Sequence, residues 1–141
     1  RAMSACGRTL PIQVQVTMET TGRMLVGTEI GAAYASLQAM KPDIIGINCA
    51  TGPSEMQEHL RYLSQHSQIP ISVLPNAGLP SVRDGKTHYD LTPEQLAEFH
   101  RRHVADLGIG IVGGCCEVGP AHISHLSECL DQAGYAITAA L

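Results

Sequence analysis

Several residue types and patterns are scarce or missing in this 141-residue chain, and each absence excludes some classes of protein. Trp is absent and Phe occurs once, so any core must be aliphatic. No apolar run approaches the roughly 20 residues that a membrane-spanning helix needs. No signal peptide is visible at the N-terminus. We therefore expect a folded cytoplasmic protein without a membrane anchor.

Charge and cysteine usage give further limits. Charged residues make up 16% of the chain and the net charge is −4, which argues against nucleic acid or an anionic membrane as a partner. An odd number of cysteines without a secretory signal favours a reducing compartment. No Cys-x-x-Cys motif is present, so a thiol redox module is a weak alternative. The five cysteines are Cys6, Cys49, Cys115, Cys116 and Cys129.

Short apolar runs alternate with helical patterns along the whole chain, which predicts four βα units with parallel strands. A complete (β/α)8 barrel takes about 250 residues, so the length fits half a barrel or a small doubly wound sheet. The predicted strands are Leu10–Met18, Ile44–Asn48, Ile69–Leu74 and Ile109–Val112. The predicted helices are Glu29–Met40, one after Ser54, one that begins after Thr92 and one that begins at Pro120.

Two segments between these elements have a clear local signature. Thr92, Pro93 and Gln95 form the pattern of an N-cap, a first-turn proline and a capping box. The segment Leu79–Asp90 contains proline, glycine and several polar residues, which predicts a flexible loop.

Candidate chemistry lies where the predicted strands end. Cys49 and Asn76 follow two strands, and Cys115 and Cys116 follow the last one. Active sites of parallel α/β folds lie at the carboxyl ends of strands, so these four residues fall on one rim. Adjacent cysteines reach one ion only if the backbone turns, and the pair Gly113–Gly114 permits that turn.

Three cysteine thiolates on zinc leave a fourth position open, which is typical of a chemically active zinc site. The alternative is that these cysteines simply fill the core as small hydrophobic residues. Cys6 and Cys129 lack such a context, and we predict that they are inert thiols. The pairs His100–His103 and His122–His125 have no obvious third ligand, so we predict that they lie on solvated helix faces.

Four segments carry a family resemblance. The segments 46–53 (GINCATGP), 75–80 (PNAGLP) and 113–116 (GGCC), together with 21–28 (TGRMLVGT), resemble the homocysteine-binding domain of cobalamin-dependent methionine synthases, in the homocysteine S-methyltransferase superfamily. That domain is a (β/α)8 barrel. The resemblance implies that residues 1–141 are its C-terminal half, with the last four βα units.

The resemblance also implies a reaction. Cys49, Cys115 and Cys116 would be zinc ligands, and the sulfur of homocysteine would take the fourth position. Asn76 would hold that position weakly when substrate is absent or would contact the substrate; the alternative is that Asn76 only forms the turn before Gly78. The activated sulfur would accept the methyl group of methylcobalamin and give methionine. Cobalamin and methyltetrahydrofolate would bind to other domains, and the missing N-terminal half-barrel would be a partner.

Two alternatives remain open beside this interpretation. One is a cobalamin-independent homocysteine S-methyltransferase that uses a small methyl donor, and the other is a non-catalytic zinc-binding half-barrel. The chain departs from the family pattern at Glu117, which places a carboxylate directly after the cysteine pair. We expect the isolated chain to be inactive and to self-associate.

Overall fold

The computed structural model describes residues 9–135 together with Ala5 and Gly7. A four-stranded parallel sheet carries a helix after each of its strands. The strands are β1 (Gln13–Val16), β2 (Ile44–Asn48), β3 (Ile71–Leu74), β4 (Pro80–Arg83), β5 (Lys86–Tyr89) and β6 (Ile111–Val112), and the helices are α1 (Ile30–Gln38), α2 (Gln57–His66), α3 (Pro93–Leu107) and α4 (Pro120–Gln132).

The strand order in the parallel sheet is β1-β2-β3-β6, so each βα unit adds its strand beside the previous one. A doubly wound sheet would reverse direction at a switch point, whereas a (β/α)8 barrel adds strands in sequence. The predicted α/β fold with four βα units is therefore confirmed, and the order fits half a barrel. Strand β2 has its predicted bounds, while the other three parallel strands are shorter than predicted.

The two faces of the sheet differ in chemistry. Ile45, Ile47 and Val73 are buried in the layer between the strands and helices α1 and α2. On the opposite face, the side-chain amides of Gln13 and Gln15 donate to Ser72 Oγ at 3.2 and 3.0 Å. The sheet therefore has an aliphatic face under the helices and a polar face where a barrel would have its interior.

The segment predicted to be a flexible loop is a β-hairpin, so that prediction was wrong. Strands β4 and β5 pair antiparallel, with Arg83 opposite Lys86. Asp84 and Gly85 have φ of 51° and 72°, which is the left-handed geometry of a two-residue type I′ turn. The Asp-Gly pair was the sequence signal for this turn.

Helix α3 begins as predicted but places its histidines differently. Gln95 N donates to Thr92 Oγ1 at 3.3 Å and Thr92 N donates to Gln95 Oε1 at 2.9 Å, which completes the capping box. His100 and His103 are 0% and 1% exposed, so the prediction of a solvated face was wrong. Both lie four and seven residues after the buried Leu96, on the helix face that points into the core.

The expected self-association stays a prediction, and the strand edges define how to test it. Within the described residues, β1 pairs only with β2 and β6 pairs only with β3. Unpaired edges of this kind recruit further strands. We expect the 141-residue chain alone to elute as dimers or larger species in size-exclusion chromatography with light scattering. The fraction of these larger species is expected to rise with protein concentration. A monomer at every concentration would contradict this expectation.

None of the described helices is long and apolar enough to cross a membrane.

Candidate metal centre

Cys49 leaves strand β2 in an unusual backbone conformation. Cys49 and Ala50 have φ of 62° and 61°, in the left-handed region that L-residues other than glycine rarely adopt. Each such residue stores on the order of 1 kcal/mol of strain, and such strain clusters at functional sites. The turn is held by hydrogen bonds from Cys49 N to Leu74 O at 3.1 Å and from Thr51 N to Cys49 O at 2.8 Å.

The pair Cys115–Cys116 lies in the cysteine loop, meaning residues 113–116 after β6, and this loop is hydrogen-bonded to the residues after β3. Cys115 N donates to Pro75 O at 2.7 Å, and Ala77 N donates to Cys116 O at 2.9 Å. A Cβ on Gly114 would collide with the Val118 side chain, so this position requires glycine. The backbone thus turns after β6 as the sequence predicted, and both cysteines face the end of the neighbouring strands.

The three thiols meet in space. The distance from Cys49 Sγ to Cys116 Sγ is 3.7 Å, and that from Cys115 Sγ to Cys116 Sγ is 4.0 Å. All three sulfur atoms lie within 4.8 Å of one another. Zn–S bonds of about 2.3 Å in a tetrahedral site put neighbouring sulfurs about 3.8 Å apart. The cysteine cluster, meaning Cys49, Cys115 and Cys116, therefore has the spacing and the donor chemistry of a zinc site.

Electrostatics of the cysteine cluster favour a bound cation. The backbone N–H of Ala50 lowers the pKa of Cys49, since it donates to the thiolate. Hydrogen bonds with Cys49 and then Cys115 raise the pKa of Cys116 to about 11, because the Cys116 proton is shared with its neighbours. Three adjacent thiolates repel one another without a cation between them.

Asn76 is buried beneath the cysteine loop, where it is 3% exposed. Its side-chain Oδ1 accepts a hydrogen bond from Cys116 N at 3.2 Å, and its backbone N–H donates to Thr51 O at 3.0 Å. Asn76 thus connects the Cys49 turn to the Cys115–Cys116 loop. The prediction that it is a displaceable ligand stays a prediction, and the sequence did not indicate its contact with Cys116.

Charged and phenolic groups surround the cluster. The backbone N–H of Ala50 has the largest effect on the pKa of Cys49 and lowers it; burial opposes this effect, and the negative charge of Glu19, after β1, opposes it least. Burial raises the pKa of Tyr89 at the end of the hairpin, and the charges of Cys116 and Glu117 raise it further. Glu117 is exposed and has φ of 61°, a conformation that favours glycine. Tyr89 was missed by sequence reasoning because its segment was treated as a loop.

The other predicted residues lie apart from the cluster. Cys129 is a free thiol on α4 that packs against the core, while Cys6 lies outside the described residues. His122 accepts from Gly119 N through Nδ1 at 3.2 Å, so its Nε2 carries the proton and donates to Leu91 O at 3.0 Å. This gives His122 a contact between α4 and the end of the hairpin. His125 is half-buried.

Comparison with known proteins matches residues 1–130 to the family model described as homocysteine S-methyltransferase. The chain belongs to the homocysteine S-methyltransferase family. Over 127 residues it is 52% identical to the methionine synthase of Mycobacterium leprae (strain TN), covering 90% of this chain and 10% of that protein. The methionine synthase of Mycobacterium tuberculosis (strain ATCC 25618 / H37Rv) is 51% identical over 127 residues, which cover 90% of this chain and 11% of that protein. The chain thus spans about a tenth of the length of these relatives.

Two solved structures of a homocysteine methyltransferase share the fold. The apo form of the homocysteine methyltransferase MmuM from Escherichia coli superposes with a TM-score of 0.65 at 23% identity, covering 90% of this chain and 41% of that one. Its oxidised form gives a TM-score of 0.59 at 21% identity, with 89% and 38% covered. At these identities the likeness concerns the fold alone.

Proposed function

We propose that this chain is the homocysteine-binding half-barrel, residues 1–141, of a cobalamin-dependent methionine synthase. In this proposal the cysteine cluster binds zinc and the site activates the thiol of homocysteine for methylation. The observation that carries the proposal is the meeting of three thiols, from two strand ends, at the spacing of a tetrahedral zinc site. The sequence identity of the chain to two methionine synthases over 127 residues supports the choice of reaction.

The chemistry follows from the donor set. Cys49, Cys115 and Cys116 would hold the ion and leave its fourth position free for a substrate sulfur. When bound there, zinc would supply the positive charge that makes the substrate thiol ionise near neutral pH. The cysteine cluster adds negative charge around the ion, which would keep the substrate sulfur electron-rich. The N–H of Ala50 stabilises Cys49 as the thiolate that a ligand must be.

A neighbouring cavity offers room for the amino-acid end of the substrate. It has a volume of about 480 Å³ and lies at the end of β1, which pairs with β2, the strand that directly precedes Cys49. Its lining includes Gln15, Thr17 and Glu19. In our proposal, Glu19 pairs with the α-ammonium group of homocysteine, since it is the one charged residue among the described residues that line this cavity.

Asn76 and Glu117 would tune the site in different ways. Asn76 holds the backbone of Cys116 through one lone pair of Oδ1, and the proposal keeps the second lone pair for the fourth position when substrate is absent. Glu117 would repel the carboxylate of homocysteine, so we propose that this end of the substrate lies away from Glu117.

The rest of the reaction lies outside this chain. The methyl group would come from methylcobalamin, and cobalamin and methyltetrahydrofolate would bind to other domains. The N-terminal half of the barrel would be a further partner of this chain. The free thiols of Cys49, Cys115, Cys116 and Cys129 suit a reducing cytoplasmic location.

An assay of the full-length protein with two methyl donors tests this function. We expect homocysteine to be converted to methionine with methylcobalamin and not with S-methylmethionine, and we expect a metal chelator to abolish the activity. Methionine is quantified by mass spectrometry. Turnover with S-methylmethionine alone would replace the proposal with a cobalamin-independent methyltransferase, and turnover that is insensitive to the chelator would remove zinc from it.

A further inference from the structure

A buried histidine on helix α3 contacts the backbone at the start of the cysteine loop. His100 is 0% exposed, and its Nε2 lies 2.7 Å from the carbonyl oxygen of Gly113. Gly113 directly follows β6, which ends at Val112, and begins the turn to Cys115. The contact therefore joins α3 to the backbone that carries two members of the cysteine cluster.

The protonation state of His100 follows from this contact. A carbonyl oxygen only accepts, so Nε2 must carry the proton and donate it. Burial lowers the pKa of His100 to about 4, which keeps the ring neutral near pH 7. Nδ1 has no hydrogen-bond partner within the described part of the chain. His100 thus makes a single buried hydrogen bond, and that bond goes to the cysteine loop.

The start of the loop depends on such anchors, because Gly113 and Gly114 have little conformational preference of their own. Gly113 N donates to Val73 O at 3.2 Å, so β3 holds one side of this residue and His100 holds the other. The next anchor is the bond from Cys115 N to Pro75 O at 2.7 Å. Only Gly114 lies between the Gly113 and Cys115 anchors.

We propose that His100 is a positioning residue for the metal centre. By holding the Gly113 carbonyl it fixes the direction in which the backbone enters Cys115 and Cys116, and so the spacing of their thiols from Cys49. This role rests on the proposed zinc site. Groups that orient metal ligands from outside typically contribute 10–100-fold to metal affinity.

The chain contains a matched control for this role. His103 lies one turn further along α3, is 1% exposed, and also has its pKa lowered to about 4 by burial. Its ring packs edge-on to that of His100 with centroids 5.6 Å apart. Neither ring nitrogen of His103 has a hydrogen-bond partner in the described residues, so it shares the environment of His100 without the bond to the loop.

The test measures zinc affinity in the full-length protein by competition with a chromophoric chelator. We expect His100→Phe, which keeps a ring but has no donor, to weaken zinc binding about 10-fold or more. We expect His100→Gln, whose amide can donate to the same carbonyl, to recover most of this loss, and His103→Phe to bind zinc like the wild type. If His100→Phe does not fold, His100→Met, which also lacks a donor, takes its place.

A second measurement separates positioning from general stability. Cobalt(II) in place of zinc reports thiolate ligation by charge-transfer absorption, and we expect His100→Phe to alter this band while His103→Phe leaves it unchanged. Equal zinc affinities and equal cobalt spectra for the two phenylalanine variants would overturn the inference, even if His100→Phe lowers the melting temperature. Failure of the wild-type protein to bind zinc would instead overturn the proposed function.

Discussion

Replacing Cys49, Cys115 or Cys116 by serine, one at a time, is expected to abolish stoichiometric zinc binding. Zinc sites built from protein ligands bind with about 10–16 kcal/mol, so each of three thiolates carries roughly 3–5 kcal/mol, or at least about 100-fold in affinity. Serine keeps the size of the side chain but stays protonated and is a poor zinc ligand. Metal content after dialysis, measured by mass spectrometry, gives the result directly.

Cys129→Ser is the matched control for this prediction. It removes one thiol from a partly buried position that packs against the core and lies outside the cysteine cluster. We expect this variant to keep one zinc per chain. Full zinc occupancy in all three cluster variants would rule out the proposed metal centre, and zinc loss in Cys129→Ser alone would place the ion elsewhere.

The position of the cysteine cluster followed from the sequence because parallel strands share a direction. Once Ile44–Asn48 and the run before Gly113 were identified as strands, Cys49 and Cys115 had to lie at the same edge of the sheet. The family motifs predicted a (β/α)8 barrel, whereas four βα units alone also fit a doubly wound sheet. The strand order then decided between the two.

The contacts that hold the cluster could not be predicted in the same way. Asn76 Oδ1 meets Cys116 N across 40 residues of sequence, and this bond depends on how two loops pack after both strands have formed. Cys49 and Ala50 adopt left-handed backbone that their residue types disfavour. Tertiary structure imposes both features, and no local propensity indicates them.

The buried histidines were missed for a different reason. Counting only apolar residues on α3 selects Leu96, Phe99 and Val104, whereas the helical period starting from Leu96 also passes through His100 and His103. A neutral imidazole can occupy a core position when one nitrogen finds a partner, as His100 does with Gly113. Because histidine was counted as polar in this pattern, the contact between His100 and the cysteine loop was not predicted.

Stability is therefore expected to fall steeply as the pH drops from about 6.5 to about 4. In the folded chain, burial lowers the pKa of His100 and His103 from the ordinary value of 6.5 to about 4. Between these values the unfolded chain takes up two protons that the folded chain does not, so acid favours unfolding. Each histidine contributes about 1.4 kcal/mol per pH unit, or roughly 3 kcal/mol over the window.

Urea unfolding of the metal-free protein, kept in chelator so that zinc release adds nothing, measures this slope between pH 7 and 4.5. His103→Leu is expected to remove about half of the slope, and to stabilise the protein near pH 5, because leucine leaves no ring nitrogen to protonate or to bury without a partner. His88→Leu, on the exposed strand β5, is expected to leave the slope unchanged. Equal slopes for the wild type and His103→Leu would mean that the ring of His103 reaches water in solution, and the core position assigned to it would then be wrong.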